Sequence, residues 1–263
     1  MIIGYSGMKY LVSILIGLIL VTTGCATLRP REEGPSGMAS SPEAEALFNR
    51  LQVQNTHLQS FKGTGRLRIK DVKGIQQVRL MWAGFENEKL RLEIMGTIGQ
   101  PIFSFASDGE RIYLISHTEN RFYSKRETNA NLEKLIALPI TVSACLDLMA
   151  GRIPLEAHLM PMAVQEKKES QQVLVLESTD RKKGGQQIFI DTASGNVHQV
   201  EAYDKDEILA YRAEFVRMQR VSGFDVPREL RLSNGDNASL QLVVDRFWPN
   251  VPVSAELFKL ANP

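Results

Sequence analysis

Cysteine is almost absent from this chain, with two among 263 residues, at Cys25 and Cys145. That scarcity excludes a disulfide framework and any thiolate-rich zinc or iron–sulfur site. Histidine is equally sparse: His57, His117, His158 and His198 are scattered, with no two at a metal-ligand spacing, so no metal centre is expected. A charge surplus is missing as well. Lys and Arg number 31 against 30 Asp and Glu, which leaves no excess of cations to neutralise phosphates and argues against nucleic acid as a partner. Neither a Gly-x-x-x-x-Gly-Lys-[Ser/Thr] phosphate loop nor a Gly-x-Ser-x-Gly elbow occurs. The basic runs at Lys167-Lys168 and Arg181-Lys182-Lys183, with Asp180 and Asp191, belong to polar turns. Nothing here marks an enzyme or a cofactor site.

A long hydrophobic run is also lacking. The apolar stretch from Leu11 to Val21 follows a single positive charge, Lys9, and gives way to small residues, whereas a spanning helix wants about 20 apolar residues. That order of charge, apolar core and small residues is the order of a secretory signal peptide. Its end, Thr22-Thr23-Gly24-Cys25, resembles a bacterial lipoprotein signal, although Thr22 stands where such signals usually carry leucine. The resemblance implies cleavage after residue 24 and a covalent diacylglycerol and acyl anchor on Cys25, with no other cofactor. Ala26 at the next position implies sorting to the outer membrane, on its periplasmic face. An ordinary signal peptide or anchor that happens to contain a cysteine is the alternative, and Met8 is an alternative start. Residues 25–42, rich in Gly, Pro, Ser and charge, read as a flexible tether. Cys145 is then the only free thiol, expected as a small buried hydrophobe.

From residue 43 to 263 a single domain is expected, and its dominant signal is period two. "GRLRIKD", "QVRLMW" and "KLRLEIM" each put apolar residues on one face and polar residues on the other. The pattern recurs through "IFSFAS", "RIYLIS", "QVLVLES", "QQIFID", "LAYRAEFVRM", "RELRLSN" and "SLQLVVDRFW". With turn signals at Asp108-Gly109, Ser194-Gly195-Asn196 and Asn234-Gly235-Asp236, this predicts an antiparallel meander of about eleven strands. One helix is predicted over 42–61 behind Ser41-Pro42, and a helical region over 131–154, broken at Pro139 and capped near Gly151. The expected class is mainly β (α+β): a strongly curved antiparallel sheet forming a half-open barrel, with two or three short helices as lid or plug.

In order along the chain, "GTGRLRIKDVKGIQQVRLMWAG", "KLRLEIMGTIGQP", "NLEKLIALPITVSACLDLMAGRIP" and "LRLSNGDNASLQLVVDRFW" resemble the LolB-like outer-membrane lipoproteins of the LolA/LolB-like lipoprotein-handling superfamily. The resemblance covers most of residues 60–250 and implies a lidded half barrel that accepts acyl chains and passes them into the outer membrane. The implied cavity lining is Leu67, Ile69, Val78, Leu80, Trp82, Leu90, Leu92, Ile94, Phe103, Phe105, Leu114, Leu135, Leu146, Ile188 and Ile190. The implied membrane-insertion loop is Ile98 between Gly96 and Gly99, although Ile98 folding back onto the sheet is an equal alternative. Implied partners are lipids, lipidated proteins and a LolA-like periplasmic carrier, met by a monomer. Two readings of the lining stay open, since ordinary core packing produces the same alternation. With an open cavity the protein handles lipid; with a filled one it is a non-transporting lipoprotein that serves as an interaction module in an envelope assembly.

Overall fold

A computed structural model describes residues 40–71, 74–86, 88–168, 170–235 and 238–261. The expected signal peptide, Cys25, Ala26 and the tether as far as residue 39 lie outside the described residues.

Helix α1 (Pro42–Val53) starts where Ser41 Oγ accepts a hydrogen bond from the Ala44 amide at 3.1 Å and Pro42 occupies the first turn. It is shorter than the predicted 42–61. Asn55 adopts φ +52°, and its side-chain amide donates to the carbonyls of Ala150 and Asp225 at 2.9 and 2.7 Å. Those bonds replace the next helical turn. Leu58 and Phe61 are buried but lie beyond the helix, and Phe61 stacks on Phe247 with centroids 5.4 Å apart.

Among the described residues thirteen strands then form one antiparallel sheet. The first six are β1 (Ser60–Asp71), β2 (Gly74–Phe85), β3 (Lys89–Met95), β4 (Pro101–Asp108), β5 (Arg111–Ser116) and β6 (Arg121–Arg126). The remaining seven are β7 (Leu159–Lys168), β8 (Gln171–Ser178), β9 (Gln186–Asp191), β10 (Val197–Tyr203), β11 (Leu209–Val221), β12 (Phe224–Ser233) and β13 (Ser239–Pro249). Their spatial order is β6-β5-β4-β3-β2-β1-β13-β12-β11-β10-β9-β8-β7. Two meanders are thus joined by the β1–β13 pair, and β6 and β7 are left as edges, so the barrel is half open. The sequence predicts about eleven strands, and β7 is one it misses. Pro161 and Met162 interrupt its alternation, and a proline is tolerated in a strand at a sheet edge, where one backbone donor can be spared.

The connection from β6 to β7 carries the other two α-helices of the described residues. Helix α2 (Glu133–Ile136) ends at Ala137 with φ +56°, just before Pro139, and α3 (Val142–Met149) is capped by Thr141 Oγ1 accepting from the Ala144 amide at 3.3 Å. Gly151 follows at φ +71°, and a Cβ there would sit 2.3 Å from the Asp225 carbonyl oxygen, so glycine is required where the cap is expected. The two helices differ in depth. Helix α3 buries Val142, Ala144, Cys145, Leu146, Leu148 and Met149; α2 buries no residue fully.

Directly opposed residues in antiparallel strands share a face. The pairs Leu67↔Leu242, Ile69↔Leu240, Leu80↔Ile94, Leu92↔Phe105 and Ile94↔Phe103 therefore build one continuous apolar concave surface. The opposite, convex surface carries Arg66, Arg68 and Lys70. Gly63 lies on the concave face opposite Trp82. A Cβ at Gly63 would be 2.1 Å from the indole, so the absent side chain is what lets the ring lie flat on β1.

Candidate functional site

The concave face is divided into a filled part and a hollow part. At one end Phe61, Leu90 and Leu146 are fully buried among the helices. Towards the other end lies a hollow of about 130 Å³ lined only by Leu, Ile, Phe, Met and Cys side chains. The sheet contributes Leu67, Ile69, Leu80, Leu92, Ile94, Phe103 and Phe105 from β1 to β4, and Leu230, Leu232, Leu240 and Leu242 from β12 and β13. Leu132, Leu135 and Ile136 come from α2 and the residue before it, and Cys145, Leu148 and Met149 from α3. An all-apolar lining has no hydrogen bond to offer, so its chemistry is restricted to the transfer of hydrocarbon out of water.

Eight of the residues singled out from the sequence meet here: Leu67, Ile69, Leu80, Leu92, Ile94, Phe103, Phe105 and Leu135. The others lie elsewhere. Leu114 lines a second hollow of about 370 Å³ between α2 and strands β5 and β6, which shares Phe105, Leu132 and Leu135 with the first. Val78 is on the concave face, opposite Leu67, but outside the lining. Trp82, Leu90, Leu146, Ile188 and Ile190 are buried core residues in the part of the face that helices and neighbouring side chains already fill. Sequence reasoning missed Leu230, Leu232, Leu240 and Leu242, although "LRL" and "SLQL" alternate as clearly as "RLRI". It also missed the triplet Cys145, Leu148 and Met149, whose i, i+3, i+4 spacing marks one helix face.

Cys145 borders the hollow as a buried thiol, its Sγ 3.8 Å from Met149 Sδ. Burial pushes its pKa up to about 12, so the thiol stays protonated and unreactive. Behind α3, Arg152 Nε donates to Asp147 Oδ1 at 2.7 Å and Arg152 Nη1 donates to the Leu58 carbonyl at 3.0 Å. Burial raises the Asp147 pKa, and the guanidinium opposes that shift. The pair ties α3 to the start of β1 and faces away from the apolar lining. Among the described residues no three His, Cys, Asp or Glu side chains gather as a metal site, and no helix is long and apolar enough to cross a membrane.

The cover over the hollow is the single turn of α2 held between the buried residues Leu132 and Leu138. Leu132 and Ile140 share a hydrogen bond of 2.8 Å, and Val142 and Ala130 one of 3.0 Å, which clamp the base of the α2 loop. At its tip, Asn234 Nδ2 donates to the Ala137 carbonyl at 3.3 Å, linking it to the β12–β13 turn. Beside this, the β3–β4 turn closes with Gly96 N donating to the Gln100 carbonyl at 2.7 Å and Gly99 N to the Gly96 carbonyl at 3.1 Å. Gly99 takes φ +88°, a conformation glycine reaches without steric cost. Ile98 at the tip is 88% exposed, so it projects outward and does not fold back onto the sheet. The stem of the same hairpin, Ile94 and Phe103, lines the hollow.

Three solved structures share this architecture. One is a DUF1329 family protein from Desulfovibrio piger, with TM-score 0.61 and 10% identity over 82% of this chain and 96% of that one. The second is a domain from Vibrio parahaemolyticus described as an outer membrane lipoprotein-sorting protein, with TM-score 0.60 and 14% identity over 82% and 97%. The third is a LolA superfamily protein from Nitrosomonas europaea, with TM-score 0.59 and 11% identity over 82% and 97%. The chain has the LolA-like fold. No protein-family model matches it, and no curated protein does. At these identities the likeness establishes the LolA-like fold and leaves function to the site.

Proposed function

We propose that the protein is an outer-membrane lipoprotein, anchored through Cys25 on the periplasmic face, that binds the acyl chains of lipoproteins or lipids and helps insert them into the membrane. The observation that carries this reading is the hollow lined only by apolar side chains and roofed by the single turn of α2. Each methylene exposed to water costs roughly 0.8 kcal/mol, so a multi-chain lipid needs an apolar enclosure to cross an aqueous space. The hollow alone, about 130 Å³, is below the roughly 300 Å³ at which ligand sites begin. Leu132 and Leu135 separate it from the second hollow of about 370 Å³, whose lining adds Lys125, Glu127, Glu133 and Lys134 to the apolar side chains; on this reading their displacement gives a space in that range with an apolar floor and a charged mouth. Ile98, exposed on the hairpin whose stem lines the hollow, is the tip that enters the bilayer, and a LolA-like periplasmic carrier is the delivering partner.

A second reading rests on the small size of the closed hollow: a non-transporting lipoprotein in an envelope assembly, its cavity filled by its own side chains. Native mass spectrometry of the protein mixed with a lipidated peptide separates the two. A bound acylated species that an unlipidated peptide fails to displace supports the carrier. The absence of any acyl adduct at all peptide concentrations assigns the protein to the module.

A further inference from the structure

The convex side of the sheet carries a cluster of cations that the proposed acyl binding does not use. Arg66 and Arg79 are directly opposite in the β1–β2 ladder, an arrangement that destabilises a sheet. In the next row, Arg231, Gln241 and Arg68 stand side by side across β12, β13 and β1, and Lys70 lies two residues beyond Arg68. Arg66 reaches Asp245 at 3.4 Å and Arg231 reaches Glu214 at 3.0 Å. No carboxylate of the described residues pairs with Arg68, Lys70 or Arg79. Between these side chains is a cleft of about 190 Å³ bounded by Arg68, Lys70, Arg231, Ile75, Ser239 and Gln241, with no acid in its lining. The whole chain has a net charge of only +1, so this clustering reflects segregation and not a basic composition.

We infer that this face docks on a membrane surface through anionic phospholipid headgroups. The cations with the Ser239 hydroxyl suit a phosphate oxygen, while Gln241 Nε2 donates to Glu229 Oε1 at 2.6 Å, and exposed apolar residues rim the patch. Ile75, 57% exposed, is opposite Lys70. Strand β3 ends with Met95 opposite Arg79, so the turn bearing Ile98 emerges beside the cations. Basic residues bordered by exposed isoleucine form the pattern of an interfacial surface; an acidic protein partner would leave the isoleucines unexplained. The inference does not depend on what occupies the hollow.

The test uses the chain from residue 25 onward carrying Cys25→Ser, so that neither the apolar run from Leu11 to Val21 nor an acyl anchor masks weaker contacts, sedimented with phosphatidylethanolamine vesicles containing a quarter phosphatidylglycerol. At about 1 kcal/mol per basic residue near an anionic surface, Arg68→Gln with Lys70→Gln weakens binding about thirtyfold. Raising the salt concentration erases most of the difference. Equal binding to vesicles of phosphatidylcholine alone, or no change in the double variant, overturns the inference. Retention on polyglutamate without preference for anionic vesicles also overturns it and assigns the face to an acidic protein. Should the double variant fail to fold, the comparison of the two vesicle types with unsubstituted Arg68 and Lys70, under a salt titration, decides the question alone.

Discussion

Cys145→Phe tests whether the hollow is a binding space or a packing fault. The side chain projects from α3 into the hollow beside Met149, and a phenyl ring there occupies about half of the 130 Å³. An unfilled cavity costs about 24 cal/mol per Å³, so the whole space costs the fold roughly 3 kcal/mol and half of it about 1.5 kcal/mol. Filling it raises the melting temperature by about 3 to 6 °C for a domain of this size. An acyl chain must then expel the ring and forfeit the same free energy, which raises Kd about tenfold. Circular dichroism melts and displacement of a fluorescent fatty acid read the two quantities on one sample. The reasoning is refuted if the melting temperature rises while affinity is unchanged, because the ligand then sits elsewhere. It is equally refuted if the melting temperature falls with affinity intact, because the space is then not available to a side chain.

Gly63→Ala places a Cβ 2.1 Å from the Trp82 ring, and the overpacking costs about 1–3 kcal/mol in urea unfolding; an unchanged midpoint would show that β1 and β2 do not meet there. Ile98→Glu, at an 88% exposed position, changes stability by no more than about 0.5 kcal/mol yet reduces lipid transfer into liposomes. Full transfer with binding preserved excludes the insertion role. The Cys145 thiol, held near 12 by burial against an ordinary 9, stays unlabelled by iodoacetamide in the folded protein and reacts on unfolding. Between these values the folded chain keeps a proton that the unfolded chain releases. Stability is therefore intact below about pH 9 and falls above it by up to about 1.4 kcal/mol per pH unit. Tyr211, whose pKa burial also raises, pulls in the same direction at higher pH. A flat denaturation midpoint from neutral to strongly alkaline pH excludes this account.

Alternation told which face of each strand is apolar, because the pleat sends successive side chains to opposite sides. That was enough for the meander and for eight of the lining residues. It could not tell how far along the face the helices reach. Leu90 on β3 and Ile94 four residues later follow the same pattern, but Leu90 is fully buried while Ile94 borders the hollow. The difference comes from tertiary cover. Strand β7 escaped because its proline breaks the only signal that a lone sequence offers, and an edge position is what makes that proline tolerable. The early stop of α1 was hidden for a related reason: the bonds that replace its last turns come from Asn55 to Ala150 and Asp225, far away in the chain.

Pro139 explains why the two halves of one apolar face have different fates. A residue before proline is driven out of the α region, and Ala137 already leaves it at φ +56°, so α2 and α3 cannot merge into one helix. The piece on the far side of the break, α3, is amphipathic in name only: six of its eight residues are buried, and it packs the concave face as any core helix does. The near piece, α2, is a single turn that lays Leu135 and Ile136 across the hollow without sinking into it. Helix α2 itself buries little, but Leu132 and Leu138 on either side of it are buried, so displacing the cover costs about 25 cal/mol per Å² of apolar surface returned to water, a loss that the acyl chain of the proposed function would offset by re-covering the same surface. A continuous helix in this connection would bury more, stabilise the fold further and close the space. The break at Pro139 therefore leaves a single-turn helix over the hollow at the expense of stability, the trade that the proposed ligand entry requires.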